Sequence, residues 1–154
     1  MAITKNAAIN HDPAFVGQIA DLQVSNLVSK LNATNATLPC GTAVQADGDE
    51  GAKPVESGGK PIGVVTRELV NDGELGIKPG RTGDVMTLGV IWVVAGEAVS
   101  KGDAVYAGVG TNVKGKFTKT AGSGVTEAVV VADAEWLDTT AKDGLGRISI
   151  RIGG

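Results

Sequence analysis

The chain has 154 residues and a net charge of −3, with 23 glycines and only 3% aromatic residues. One domain with a real core is the expectation at this length, and nothing forms the basic stripe that nucleic acid requires. The single cysteine, Cys40, excludes an internal disulfide framework, and no apolar run reaches the ~18 residues of a membrane span.

Residues 1–14 are polar and end in Asn10-His11-Asp12-Pro13. Pro13 fixes its own φ and biases Asp12 away from helix, so an extended, poorly tethered arm is expected. The start lacks the apolar core of a signal peptide, which points to a protein made in a bacterial-type cytoplasm. Phe15-Val16-Gly17-Gln18-Ile19-Ala20-Asp21 follows as a short apolar patch. A monomer could hardly bury all of Phe15, Val16 and Ile19. The patch either docks on a neighbour or packs back on its own domain.

Leu22 to Leu31 is ambiguous. Leu22, Val24 and Asn26 alternate with polar residues, yet Val24, Leu27, Val28 and Leu31 also fit one helix face. The absence of helix caps favours strand and loop. Asn32 to Thr37 is a polar loop carrying two matches to the glycosylation pattern, which have no weight without a secretion signal. Leu38 to Val44 reads as a turn into a strand, Ala46 to Lys60 as a surface loop, and Pro61 to Leu69 as a strand. Asn71 to Gly80 is a second loop, broken by glycines and Pro79.

Arg81 to Tyr106 is the organising stretch. From Val85 to Val94 both parities are largely apolar, as in a strand buried on both sides or bent across two layers of a barrel. Gly89 in its middle allows a kink or bulge. Turns at Ala95-Gly96-Glu97 and Val99 to Asp103 lead into Ala104-Val105-Tyr106. Gly108 to Gly124 is a polar excursion, expected as a hairpin with Phe117 on one arm. Val125 to Val131 is a strand, Ala134 to Leu137 carries Trp136, and Gly146 to Ile152 closes with alternating Ile148, Ile150 and Ile152. Gly41-Thr-Ala-Val44 followed by a Val-rich strand has an echo in Gly102-Asp-Ala-Val105. It reads either as two related halves of a barrel or as coincidence in a Gly/Ala/Val-rich chain.

Signals for catalysis are poor. His11 is the only histidine and lies in the arm, where a solvated imidazole is the plain reading. Cys40 has no histidine nearby in sequence and reads as a small buried hydrophobe. Asp47-Gly-Asp49-Glu50-Gly51 lacks the further ligands and the closing glutamate of a calcium loop, so no metal or cofactor is expected. No phosphate-binding or nucleophile-elbow motif is present. The V-x-x-G-x-x-V-x-x-G-D-x-V wording resembles carrier-domain hairpins, but Lys101 lacks the flanks of an attachment lysine.

Pro13 to Asp21, Leu38 to Val44, Lys60 to Arg67, Gly89 to Val93 and Val99 to Tyr106, in that order and spacing, resemble the small cement, or decoration, proteins of tailed-bacteriophage heads. The likeness covers residues 13–152, and Cys40 departs from the bulky apolar residue expected there. The resemblance implies a non-enzymatic virion protein that binds the outer surface of an icosahedral head. Its partners would be the major capsid protein and its own copies in a homotrimer, with no nucleic acid and no membrane. The expected fold is mainly β: a small barrel or sandwich of short strands with long loops (22–154) and an extended N-terminal arm (1–21). Pro13, Ala14, Phe15, Val16, Gly17, Gln18, Ile19, Ala20 and Asp21 are the candidate capsid contacts. Two other classes remain open. Exposed Trp92 or Trp136 would favour a carbohydrate-binding tail or spike module, and a cleft gathering Arg81, Asp84, Glu97 and Asp103 would favour an enzyme.

Overall fold

The computed structural model describes residues 14–21, 23–67 and 75–152. The expectations for residues 1–13, including Pro13 and His11, lie outside these. The described chain is built from strands, with no α-helix and one 3₁₀ turn at Gly124–Thr126. In chain order the strands are β1 (Asn26–Asn32), β2 (Leu38–Pro39), β3 (Ala43–Asp47), β4 (Gly51–Pro54), β5 (Pro61–Val65), β6 (Gly76–Ile77), β7 (Thr82–Val94), β8 (Ala104–Gly108), β9 (Phe117–Thr118), β10 (Ala128–Trp136) and β11 (Leu145–Arg151).

Strand β7, the longest at 13 residues, belongs to two units. Its first half closes a five-strand barrel in the order β1-β4-β3-β5-β7, because β1 pairs with β7 as well as with β4. Its second half pairs with β11, from Leu145↔Val94 to Arg151↔Leu88, and starts a second layer, β7-β11-β10-β8-β9. The handover falls at an irregularity. Asn26 pairs with Leu88 and Leu27 with Met86, which leaves Thr87 as an extra residue on β7. Two residues on, Gly89 takes φ +135, a conformation side-chain-bearing residues rarely adopt. The bulge and the glycine together bend the strand out of the barrel.

This double membership explains why β7 is apolar on both faces. Successive residues on a strand point to opposite sides. Val85 and its partner Val65 turn into the barrel, where Leu38, Cys40, Val44, Ala52 and Ile77 complete a cluster. Met86 and its partner Val64 turn outward and join Ile91, Val93, Phe117, Trp136, Ile148 and Ile150 in a second core. The barrel wall is therefore also the floor of the second layer.

The echo between Gly41-Thr-Ala-Val44 and Gly102-Asp-Ala-Val105 has a structural counterpart. In the barrel, β1 meets β4 in parallel, while β4–β3, β3–β5, β5–β7 and β7–β1 are antiparallel. In the second unit the end of β7 meets β9 in parallel through the Ala95–Phe117 bridge. There β9–β8, β8–β10, β10–β11 and β11–β7 are antiparallel. The two pairing patterns are the same, with β7 supplying the last strand of one unit and the first of the other. The second unit is joined at this seam by one bridge and the Gly96 N–H bond to the Phe117 carbonyl, 2.6 Å.

Two local expectations shift. The strand expected from Val125 begins at Ala128, because Gly124–Thr126 forms the 3₁₀ turn. It then runs to Trp136 without a break. The pairing with β8 jumps from Val130 to Glu135, and the slack is taken up around Asp133 at φ 51. The long loop expected at Ala46 to Lys60 contains β4, whose turn residues Gly48 and Asp49 gave the stretch its polar look.

Candidate functional site

Residues 14–21 lie along the edge of the second half of β7, ahead of β1 on the same edge. Gly17 N–H donates to the Trp92 carbonyl (2.8 Å), Trp92 N–H to the Gln18 carbonyl (3.0 Å) and Ala20 N–H to the Val90 carbonyl (2.8 Å). The segment also closes on itself. Gln18 N–H donates to the Phe15 carbonyl, and Phe15 N–H donates to Gln18 Oε1, both at 3.0 Å. Asp21 Oδ1 accepts from Gln23 N–H at 3.0 Å.

A third set of contacts comes from the barrel. Arg67 N–H donates to the Gly17 carbonyl at 2.7 Å, and the Cys40 thiol donates to the Val16 carbonyl at 3.4 Å. Gly17 (φ +76) and Gly41 (φ +73) face each other at van der Waals range. A Cβ on Gly17 would stand 2.7 Å from Gly41 N, and one on Gly41 would stand 2.2 Å from Val16 Cγ1. Only glycine fits at either position, on both space and backbone conformation. Burial pushes the Cys40 thiol above its ordinary pKa, with Arg67 acting the other way.

These contacts bury Ala14 and Gly17 and half-bury Val16, Ala20 and Asp21, while Gln18 stays exposed. Phe15 and Ile19 remain 47% and 37% exposed. The Arg67 guanidinium stacks over the Phe15 ring, 4.3 Å from its centroid. Among the described residues eight large apolar side chains are exposed. Five of them, Phe15, Ile19, Val24, Leu27 and Leu31, fall between residues 15 and 31. On β1, Leu27 pairs with Met86, so it faces outward from the barrel, and Leu31 shares its face.

Most of the residues that would have supported other chemistry are engaged elsewhere. Trp136 is fully buried in the second core. Trp92 is half-buried with the Arg147 guanidinium 5.6 Å over its ring. That Arg147 is held in a two-pronged pair with Asp138 at 2.9 and 2.8 Å, which keeps the Asp138 carboxyl below its usual range. Neither indole offers an open platform for a sugar. Asp84 accepts from the Ser29 hydroxyl on the barrel. Glu97 accepts from the Lys119 and Thr120 amides and the Thr120 hydroxyl, and Asp103 from the Ser100 amide. Among the described residues no three His, Cys, Asp or Glu side chains gather to hold a metal, and no helix is long and apolar enough to cross a membrane.

The family model for the phage structural cement protein (E217 gp24/Pam3 gp6) matches residues 3–151. The chain belongs to this family. A solved chain from the capsid of Myoviridae phage XM1 has the same fold, with a TM-score of 0.71 at 20% identity over 99% of this chain and 100% of that one. No curated protein matches the chain. Residues 14–21 of this structural cement protein are held mainly through their backbone, and Phe15 and Ile19 are their exposed large apolar side chains. Sequence reading placed the candidate segment at 13–21. It missed Gly41 and Arg67, which hold that segment from 20 or more residues away in sequence, and it missed Val24, Leu27 and Leu31 as exposed companions.

Proposed function

We propose that this cement protein binds the outer surface of an icosahedral phage head and ties neighbouring major capsid subunits together, with residues 14–21 at the contact. Membership of the structural cement family carries the reading. The concentration of exposed apolar side chains between Phe15 and Leu31 supports that part of the chain as the contact face. Exposed apolar residues gathered in one region mark interaction surfaces more often than scattered ones do. Repetition of a modest contact around a symmetric shell supplies avidity that a single contact lacks. In this reading copies assemble as homotrimers, as the likeness to head decoration proteins implies, and the net charge of −3 argues against a nucleic-acid partner.

The test is co-sedimentation of the full chain with matched phage shells that lack it, immature and expanded side by side. Phe15→Ser and Ile19→Ser variants, altered at exposed positions, run in parallel. Saturable pelleting that the two substitutions weaken is the expected result. A folded wild-type protein that pellets with neither shell refutes the function. Undiminished pelleting of both variants moves the contact away from 14–21. Sedimentation equilibrium of the free protein checks the trimer.

A further inference from the structure

We propose that Gly41, Arg67 and the Trp92 backbone form a seat that fixes residues 14–21 in their docking conformation before any partner is met, with Arg67 as the positioning residue for Phe15. The inference rests on reading 14–21 as the capsid contact.

The geometry converges on Gly17. Its N–H is tied to Trp92, its carbonyl to the Arg67 amide, and its Cα lies against Gly41. Three separated parts of the chain, the turn before β3, the end of β5 and the second half of β7, thus meet on one residue of the segment. Phe15 lies two residues away. Its ring is half exposed, whereas the other phenylalanine, Phe117, is fully buried. The Arg67 guanidinium covers one face of the Phe15 ring, and the Phe15 backbone is closed in the turn with Gln18. An exposed ring on a loose segment would fold back onto nearby apolar surface. Held by a cation on one face and a closed turn behind, it stays presented.

The consequence is for affinity. A segment that must order on binding loses affinity in proportion to the fraction of time it spends disordered. A segment already seated avoids that loss. Substitutions in the seat should therefore weaken docking without removing any group that touches the shell.

The experiment compares four full-length variants for binding to expanded shells and for amide hydrogen exchange in the free protein. Gly41→Ala adds a Cβ 2.2 Å from Val16 Cγ1 and 2.9 Å from the Gly17 backbone nitrogen, so the segment must shift. Gly48→Ala is its control. Gly48 has nearly the same φ, +71, but a Cβ there meets nothing within 4 Å, so backbone strain is matched and the clash is absent. Arg67→Ala removes the stack, and Arg67→Lys returns the charge without the planar fork.

Gly48→Ala is expected to bind like wild type. Gly41→Ala should bind at least about tenfold more weakly, with faster exchange at Gly17 and Ala20 and unchanged protection at Val93 and Ile148. Arg67→Ala should weaken binding several-fold, with Arg67→Lys in between. Gly41→Ala binding like Gly48→Ala, or keeping its Gly17 and Ala20 amides protected, overturns the seat. If Gly41→Ala does not fold, Arg67→Ala decides, and wild-type binding by it overturns the proposal. Undiminished binding by Phe15→Ser removes the docking reading and this inference with it. Weak binding by Phe15→Ser with normal binding by Gly41→Ala and Arg67→Ala removes this inference alone.

Discussion

Asn32 offers a sharp test of how the barrel closes. It ends β1 at the parallel seam with β4, paired with Ala52, and is fully buried. Its amide group is saturated. Nδ2 donates to the carbonyls of Ala36 (2.8 Å) and Ile77 (2.7 Å), and Oδ1 accepts from the Thr34 amide (2.9 Å) and hydroxyl (2.6 Å). Such an asparagine is out of reach of glycosylation despite its sequence pattern. Replacing Asn32 by Ala removes all four bonds and leaves the Ile77 carbonyl buried without that donor. At about 1 kcal/mol net per bond, and more for an orphaned buried group, the cost is on the order of 4 kcal/mol. Asn32→Asp is the more telling change. It keeps the acceptor for Thr34 but turns a second carboxylate oxygen toward two carbonyls. Ionised and buried, that variant should lose about 3–5 kcal/mol at pH 7. Its folded-state pKa would be raised, so the penalty develops as pH rises above the unfolded value of about 3.9 and shrinks below it, where the protonated group can donate. Urea unfolding of wild type and variant at pH 7 and at pH 4 reads both numbers. A loss below about 1 kcal/mol at pH 7, or an equal loss at the two pH values, would refute the reasoning.

Trp136→Ala empties the centre of the second core and should cost about 3–5 kcal/mol, with Trp136→Phe costing less; an unchanged melting temperature would contradict the packing described. Asp138→Asn should cost up to about 1 kcal/mol at pH 7, since the pair with Arg147 is well formed but partly solvated. Because Arg147 lowers the folded-state pKa of Asp138, this contribution is fully present above the ordinary carboxylate range and is lost as pH falls from there through the lowered folded-state value. Wild type and variant should therefore converge in acid, and a gap that persists there would exclude the pair as its cause. The Cys40 thiol, buried and pushed up in pKa, should react with a disulfide reagent only at the rate of unfolding or local opening; reaction at the speed of a free thiol in the native protein would show the barrel cluster to be open.

The central strand was legible because its signal is local. From Val85 to Val94 the side chains are largely β-branched or apolar on both faces, which admits few other readings, and Gly89 marked the bend. The closures were not legible. The parallel seams, β1 with β4 and Ala95 with Phe117, join parts of the chain with no turn between them to announce the pairing. β1 itself read ambiguously because Leu27 and Leu31 face outward and remain exposed, which spoils simple alternation. The candidate segment stood out by its apolar residues, but its seat did not. Gly41 and Arg67 are ordinary turn and strand-end residues until the fold brings them to Gly17. The G-x-A-V echo was visible yet undecidable from sequence alone. What it reflects is a shared order of pairing, carried by only a few identical residues.

That shared strand has a mechanical side. β7 is flanked along its length by antiparallel neighbours, β1 and β5 on its first half and β11 and the 17–20 segment on its second. A pull applied between the two units runs along β7 and loads those ladders in shear, where many hydrogen bonds must give together. It does not peel them one at a time. Two units joined by a linker would stretch at the linker first. Two units that own the same strand have no such weak link, and tension on one is borne by the whole sheet of the other.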